Sequence, residues 1–169
     1  RRRVYLTLIT DKLLADLQGL VDEWAPNKNN FRKDFEKKSD EETLIQLLTS
    51  LATLSAFEMG SERMGTALDS GDQEDEHSCF SDNTHRDFIT NQVGIMNVYF
   101  GNYQTYHRKS PREIIAKSDK KLADQITQAL KKSADAIMSI PAPIDQVLAS
   151  KKGSEARDKM EAAVTALNE

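Results

Sequence analysis

SDEETLIQLLTSLATLSAFEMGSE, residues 39 to 62, decides the fold class. Ser39 and Glu42 form a capping-box pattern, in which a hydroxyl and a carboxylate each satisfy a backbone N–H that the first helical turn leaves without a partner. Behind this start, Leu44, Leu48, Leu51, Ser55, Glu58 and Glu62 recur at alternating steps of four and three and mark one stripe along a helix. The stripe begins apolar and ends in two carboxylates. Either the helix end emerges into water there, or Glu58 and Glu62 face a polar pocket that must supply cationic, metal or hydrogen-bonding partners.

The same period runs outward in both directions. Upstream, Leu6, Ile9, Leu13, Leu17, Leu20 and Trp24 predict a helix over residues 4–24, ended by Pro26 and the polar Asn27-Lys28-Asn29-Asn30. Downstream, Thr84 with Asp87 predicts the cap of a third helix, with His85, Ile89, Gln92, Met96 and Tyr99 on one face, closed by Gly101. Ser110-Pro111-Arg112-Glu113 combines a serine cap, a first-turn proline and a second capping box. That short helix gives way near Ser118-Asp119 to a longer one carrying Leu122, Ile126, Ala129, Ser133, Ile137 and Ile140, stopped by Pro141-Ala142-Pro143. Ile144 to Ala149 adds a turn or two, and Ser154 opens a last helix through Met160, Val164 and Leu167.

No strand-like alternation, repeat or low-complexity tract interrupts this pattern. We expect an all-α protein, an antiparallel, up-down, four-helix-like bundle with extra short helices, in one domain over residues 1–169. The 7 glycines and 4 prolines among 169 residues agree with long helices separated by few breaks.

Charge and cysteine usage exclude several classes. The net charge of −4 comes from interspersed acids and bases, so no face is prepared for nucleic acid. Arg1-Arg2-Arg3 reads as a solvated helix start. The single cysteine, Cys79, forms no internal disulfide and belongs to no CxxC zinc pattern. No stretch approaches the roughly 20 apolar residues of a membrane span, and the first residues lack the apolar core of a signal peptide. The chain does not begin with methionine, so we expect sequence upstream of Arg1 to have been removed or to lie on another chain.

Gly71 to Asn83 reads as a structured polar loop. Glu74, Asp75, Glu76 and His77 offer oxygen and imidazole donors, and His85 and Asp87 lie on the following helix start. Iron, zinc or another divalent metal accepts such a mixture, with His77 and His85 as candidate ligands. The spacing matches neither an EF-hand nor an HExxH helix, and a solvated acidic loop is the competing reading. Cys79 beside His77 and Ser78 is a structural cysteine before it is a nucleophile, because adjacent positions rarely place a base at hydrogen-bond distance. Ser81, Asp82 and Asn83 are turn and cap formers that also suit orienting Arg86 or His85. One network would unite these parts at one bundle end: Glu58, Glu62 and Arg63 from the helix, the loop, and His85-Arg86-Asp87, with the Arg86 fork neutralising buried acids.

Phe57-Glu58-Met59-Gly60-Ser61-Glu62-Arg63-Met64, the run from Gly71 through Asp87, and Gly94-Ile95-Met96-Asn97-Val98-Tyr99 closely resemble the imelysin family, the imelysin-like peptidases and iron-regulated envelope proteins. Helix-spaced similarity continues through Ser110-Pro111 and Ile144-Asp145-Gln146 to the end of the chain. The resemblance implies an extracytoplasmic protein, periplasmic or attached to the outer membrane, of two helical-bundle halves with a site between them. This chain resembles the C-terminal half, and its partner would be the N-terminal half, as a missing segment or a separate chain. The family's Gly-x-His-x-x-Glu signature belongs to that other half and does not occur here. Two functions follow from the resemblance: a binding or uptake component linked to iron or another ligand, with this half as one wall of the pocket, or a metallopeptidase in which a metal activates water and a glutamate acts as base.

Overall fold

The computed structural model describes residues 1–169. The protein is all-α, with one two-residue hairpin as its only sheet. Its helices are α1 (Arg2–Trp24), α2 (Phe31–Phe35), α3 (Asp40–Ala52), α4 (Thr66–Ser70), α5 (Thr84–Phe100), α6 (Pro111–Ser118), α7 (Lys120–Ser139), α8 (Ile144–Ala149) and α9 (Glu155–Leu167). A π-helical segment, Thr53–Gly65, continues α3 into α4. Strands β1 (Asn102–Tyr103) and β2 (Tyr106–His107) pair antiparallel after α5. No helix is long and apolar enough to cross a membrane.

The residues group into two compact units, Arg1–Gln46 and Leu47–Glu169. In the first, Asn30 ties off α1: its amide donates to the carbonyl oxygens of Asp22 at 2.6 Å and Ala25 at 2.9 Å. Trp24, Phe31 and Phe35 stack edge to face and face to face around that corner. The predicted box at Ser39 forms, with the Ser39 N–H on Glu42 Oε2 at 2.9 Å and the Glu42 N–H on Ser39 Oγ at 3.2 Å. The apolar stripe of α1 is helical as its spacing predicts, yet no residue of α1 is buried.

In the second unit the π-helical segment, α5, α7 and α9 pack as a ring of four around one core. Met59, Met64, Phe88, Ile95, Ile137 and Met160 are fully buried there, each removing roughly 1.5–3 kcal/mol worth of apolar surface from water. Neighbours run antiparallel. Gln92 of α5 meets Leu130 and Ser133 of α7 while Tyr99, a further turn or two along α5, meets Ala123 near the start of α7. Ser55 meets Leu167, and Arg157 meets Leu68, so the π-helical strand of the bundle opposes α9.

Two starts are as the sequence predicts. Ser110 and Glu113 close a reciprocal box at 3.1 and 3.2 Å, and Asp119 caps α7 by accepting the Leu122 N–H at 2.9 Å. On α7 the buried position at the entry is Ala123, fully covered, in place of the predicted Leu122, which is 44% exposed. Ala123 shares a buried cluster with Tyr99 and Ile115, and the Tyr99 hydroxyl donates to the Ala123 carbonyl at 3.0 Å.

Candidate functional site

The π winding corrects the reading of Glu58 and Glu62. Its bonds run from residue i to i−5: the Thr66 N–H and hydroxyl both reach the Ser61 carbonyl, and the Ser61 hydroxyl reaches the Ala56 carbonyl at 3.1 Å. Each turn therefore holds about one residue more than an α-turn, and the inward positions become Met59, Gly60 and Met64. Glu58 is half-buried, while Glu62 and Arg63 are exposed. Arg86 is exposed and makes no ion pair. The network in which an Arg86 fork neutralises inward-facing Glu58 and Glu62 does not form.

A smaller polar arrangement does form, over the start of α5. Gly71 ends α4 in the left-handed conformation at φ +66°, which an L side chain rarely adopts, and turns the chain into the loop. Asp72 Oδ1 accepts the Glu74 N–H at 2.9 Å and holds a single 3₁₀ turn, Gln73–Asp75, that leaves Glu74 and Asp75 in solvent. Glu76 then turns inward and is only 6% exposed. A second 3₁₀ turn, Cys79–Ser81, and Asp82 at φ +51° bring the chain back to α5, with Ser81, Asp82 and Asn83 exposed.

Thr84 stitches the loop to the helix. The sequence assigns it to capping, but it is the first residue of α5, buried, and its hydroxyl accepts the Ser78 N–H at 3.0 Å. Asn83 reaches forward instead, donating to Asp87 Oδ1 at 2.8 Å. Asp87 in the first turn also suits the positive end of the helix dipole. The His77 ring packs edge-on against Phe88 with centroids 6.3 Å apart.

Burial pushes the Glu76 carboxyl above the ordinary glutamate range; the Thr84 hydroxyl opposes the shift, and the carboxylates of Asp145 and Asp82 add to it. Glu76 Oε1, His85 Nε2 and Asp87 Oδ2 are each shielded from solvent with no hydrogen-bond partner in the protein. A shallow depression of about 390 Å³ lies beside Glu76, lined also by Glu74, His77, Cys79 and Phe80, with Phe80 94% exposed. No three His, Cys, Asp or Glu side chains approach closely enough to share an ion. His77 and His85 thus belong to no three-donor group within residues 1–169.

Two supporting residues were not singled out by the sequence. Asp145, at the start of α8, lies close enough for its charge to oppose ionisation of Glu76. Arg157 of α9 is 4% exposed and donates to the carbonyl oxygens of Leu148 and Leu68, the Leu148 bond at 2.9 Å. It thereby fixes the end of α4, from which the loop departs. Arg157 carries no sequence signal, because a lone arginine in an amphipathic helix reads as solvent-facing.

A family model described as imelysin matches residues 1–169. The chain belongs to the imelysin family. Among curated proteins it is similar to Iron-regulated protein A of Synechococcus elongatus, at 25% identity over 177 residues, covering 99% of this chain and 50% of that relative. This imelysin chain thus spans about half the length of the curated relative it matches. Within it, the Gly71–Asp87 run that carries the family resemblance is the segment that folds over α5 and encloses Glu76.

Proposed function

We propose that these residues form one wall of a ligand-binding site in an imelysin-like protein of the cell envelope, periplasmic or outer-membrane-associated, that serves the handling of iron or another divalent metal. The rest of the site comes from the N-terminal half, as part of a longer chain or as a separate one. The observation that carries this reading is that three side-chain atoms around the start of α5, Glu76 Oε1, His85 Nε2 and Asp87 Oδ2, are shielded from solvent and unpartnered, whereas the two other such atoms, Gln92 Oε1 and Arg157 Nε, belong to side chains bonded through their remaining polar atoms. Buried polar groups are normally paired, and a set that is not paired within its own chain suits contact with a ligand or a second wall. The name of the cyanobacterial relative supports the link to iron.

Metal ligation belongs to the assembled site, because this wall offers too few donors in one place. Here Glu76, His85 and Asp87 orient and hydrogen-bond the ligand or its metal-bearing counterpart. A peptidase needs a water-activating ion and a base in one constellation, and nothing in the geometry of this wall favours that reading over binding.

The test is titration of iron(II) and zinc(II) into the longer protein, wild type and His85→Ala, and into the 169-residue chain. Stoichiometric uptake by the longer protein, weakened about 10-fold or more by His85→Ala, and none by the short chain, is the expected result. Uptake indifferent to His85, or chelator-sensitive peptide hydrolysis by the longer protein, overturns it.

A further inference from the structure

The largest unexplained surface is on α1. Leu6, Ile9, Leu13, Leu17, Leu20 and Trp24 share one stripe, and their exposure runs from 45% at Ile9 to 62% at Leu20. Leu14 and Val21, also exposed, lie beside this stripe and widen it. Asp11, Asp22, Glu23 and the Lys12–Asp16 pair lie on the remaining arc, which in the first turns also carries the exposed Val4, Tyr5 and Leu8. From Ile9 to Trp24 the division is one-sided, as in a helix built to bury one face. Eight large side chains at about half exposure or more on one side make a contiguous apolar face, the kind of surface that marks an interaction site.

The breadth of the arc says what kind of partner fits. A two-helix seam covers only a narrow a/d line, whereas three to four apolar positions per two turns face the core of a bundle and need at least two neighbouring helices. The ring formed by the π-helical segment, α5, α7 and α9 buries its inward faces within itself. The curated relative, meanwhile, is twice the length of this chain.

We propose that α1 is one helix of a second bundle, whose other helices are supplied by the half of the longer imelysin protein that these residues do not span. The partner is two or more amphipathic helices with apolar faces directed at Leu13 and Leu17. This rests on the reading above that a second half exists, but it concerns packing alone and not ligand binding.

Leu13→Cys and Leu17→Cys, made singly, are labelled with a thiol reagent in the longer protein and in the 169-residue chain, each at two concentrations. Peptide-resolved mass spectrometry separates them from Cys79, and Asp11→Cys on the polar arc is the exposed control. Labelling in the longer protein about a hundredfold slower than the control, unchanged on dilution, and rapid in the short chain, is the expected result. Rapid labelling in the longer protein overturns the proposal, as does protection that disappears on dilution, which marks a second copy as the cover. Protection in the short chain also overturns it. Hydrogen exchange of the wild-type Arg2–Trp24 segment gives the same discrimination if a cysteine variant fails to fold: slow exchange only in the longer protein supports the proposal, and equal exchange in both overturns it. Loss of metal uptake with α1 still protected would sink the ligand reading and leave this one standing.

Discussion

The Ser55 hydroxyl donates to the carbonyl oxygen of Leu167 at 3.0 Å, joining the π-helical segment to the last turn of α9 across 112 residues. The contact depends on Gly60, where a Cβ would stand 3.0 Å from Asn168 Nδ2 and 3.3 Å from the Ser55 carbonyl. Ser55→Ala is expected to lower stability by about 1 kcal/mol. Gly60→Val should cost about 1–3 kcal/mol through overpacking, while Gly60→Ala stays near neutral because the helix-propensity gain of about 1 kcal/mol offsets a small shift of Asn168. Urea unfolding of the three variants gives the order, and a Gly60→Val protein as stable as wild type would mean that α9 does not approach so closely.

Arg157 is a buried cation whose bonded partners are carbonyl oxygens, those ending α4 and α8. Removing it leaves both carbonyls without their donor, so Arg157→Ala should destabilise by about 3 kcal/mol. Arg157→Lys should recover little, since one ammonium cannot present a fork to two divergent acceptors. Limited proteolysis adds a local readout: cleavage in the Gly71–Asn83 loop should accelerate before the protein unfolds globally.

Gln92 sits 2% exposed between α5 and α7, donating to Leu130 O and Ser133 Oγ at 3.0 and 2.8 Å while its own oxygen has no partner. Ser133 keeps a bond to Leu130 O at 3.1 Å without it. Gln92→Leu is therefore expected to change stability by less than about 1 kcal/mol, the relief of an unsatisfied acceptor balancing the lost donor bonds. Gln92→Glu should be markedly worse at neutral pH because it buries a charge. Thermal denaturation of both variants checks the contrast.

Glu76 makes stability depend on pH. Burial raises its folded-state pKa above the ordinary 4.5, so the folded protein keeps the proton after the unfolded chain has lost it. The contribution is fully present below 4.5, declines as pH rises from there to the raised value, and is flat above both. Glu76→Gln should remove that decline and be the more stable protein at neutral pH. Urea unfolding from about pH 4 to about pH 8 measures it; a slope unchanged by the substitution would assign the effect to another group.

Local chemistry explains why so much was legible beforehand. The boxes at Ser39/Glu42 and Ser110/Glu113, the break near Ser118-Asp119 and the Gly101 stop act within one turn of chain, so the residues themselves carry the instruction. The polar loop and its family motif were legible for the same reason. What failed were extrapolations along an assumed pitch: Glu58 and Glu62 fall on the inner stripe of an α-helix, but the i−5 bonding of Thr53–Gly65 rotates Met59, Gly60 and Met64 there instead.

The amino-acid order alone thus settled where the long helices lie and where most of them begin and end, since capping and 3.6-residue periodicity are short-range, whereas α2 (Phe31–Phe35) is too short to show such a period. Only the tertiary structure decided which side chains face inward at the bundle end. The reach of Arg157 to Leu68 and the bond from Ser55 to Leu167 join residues far apart in the chain, and no local pattern encodes such distances.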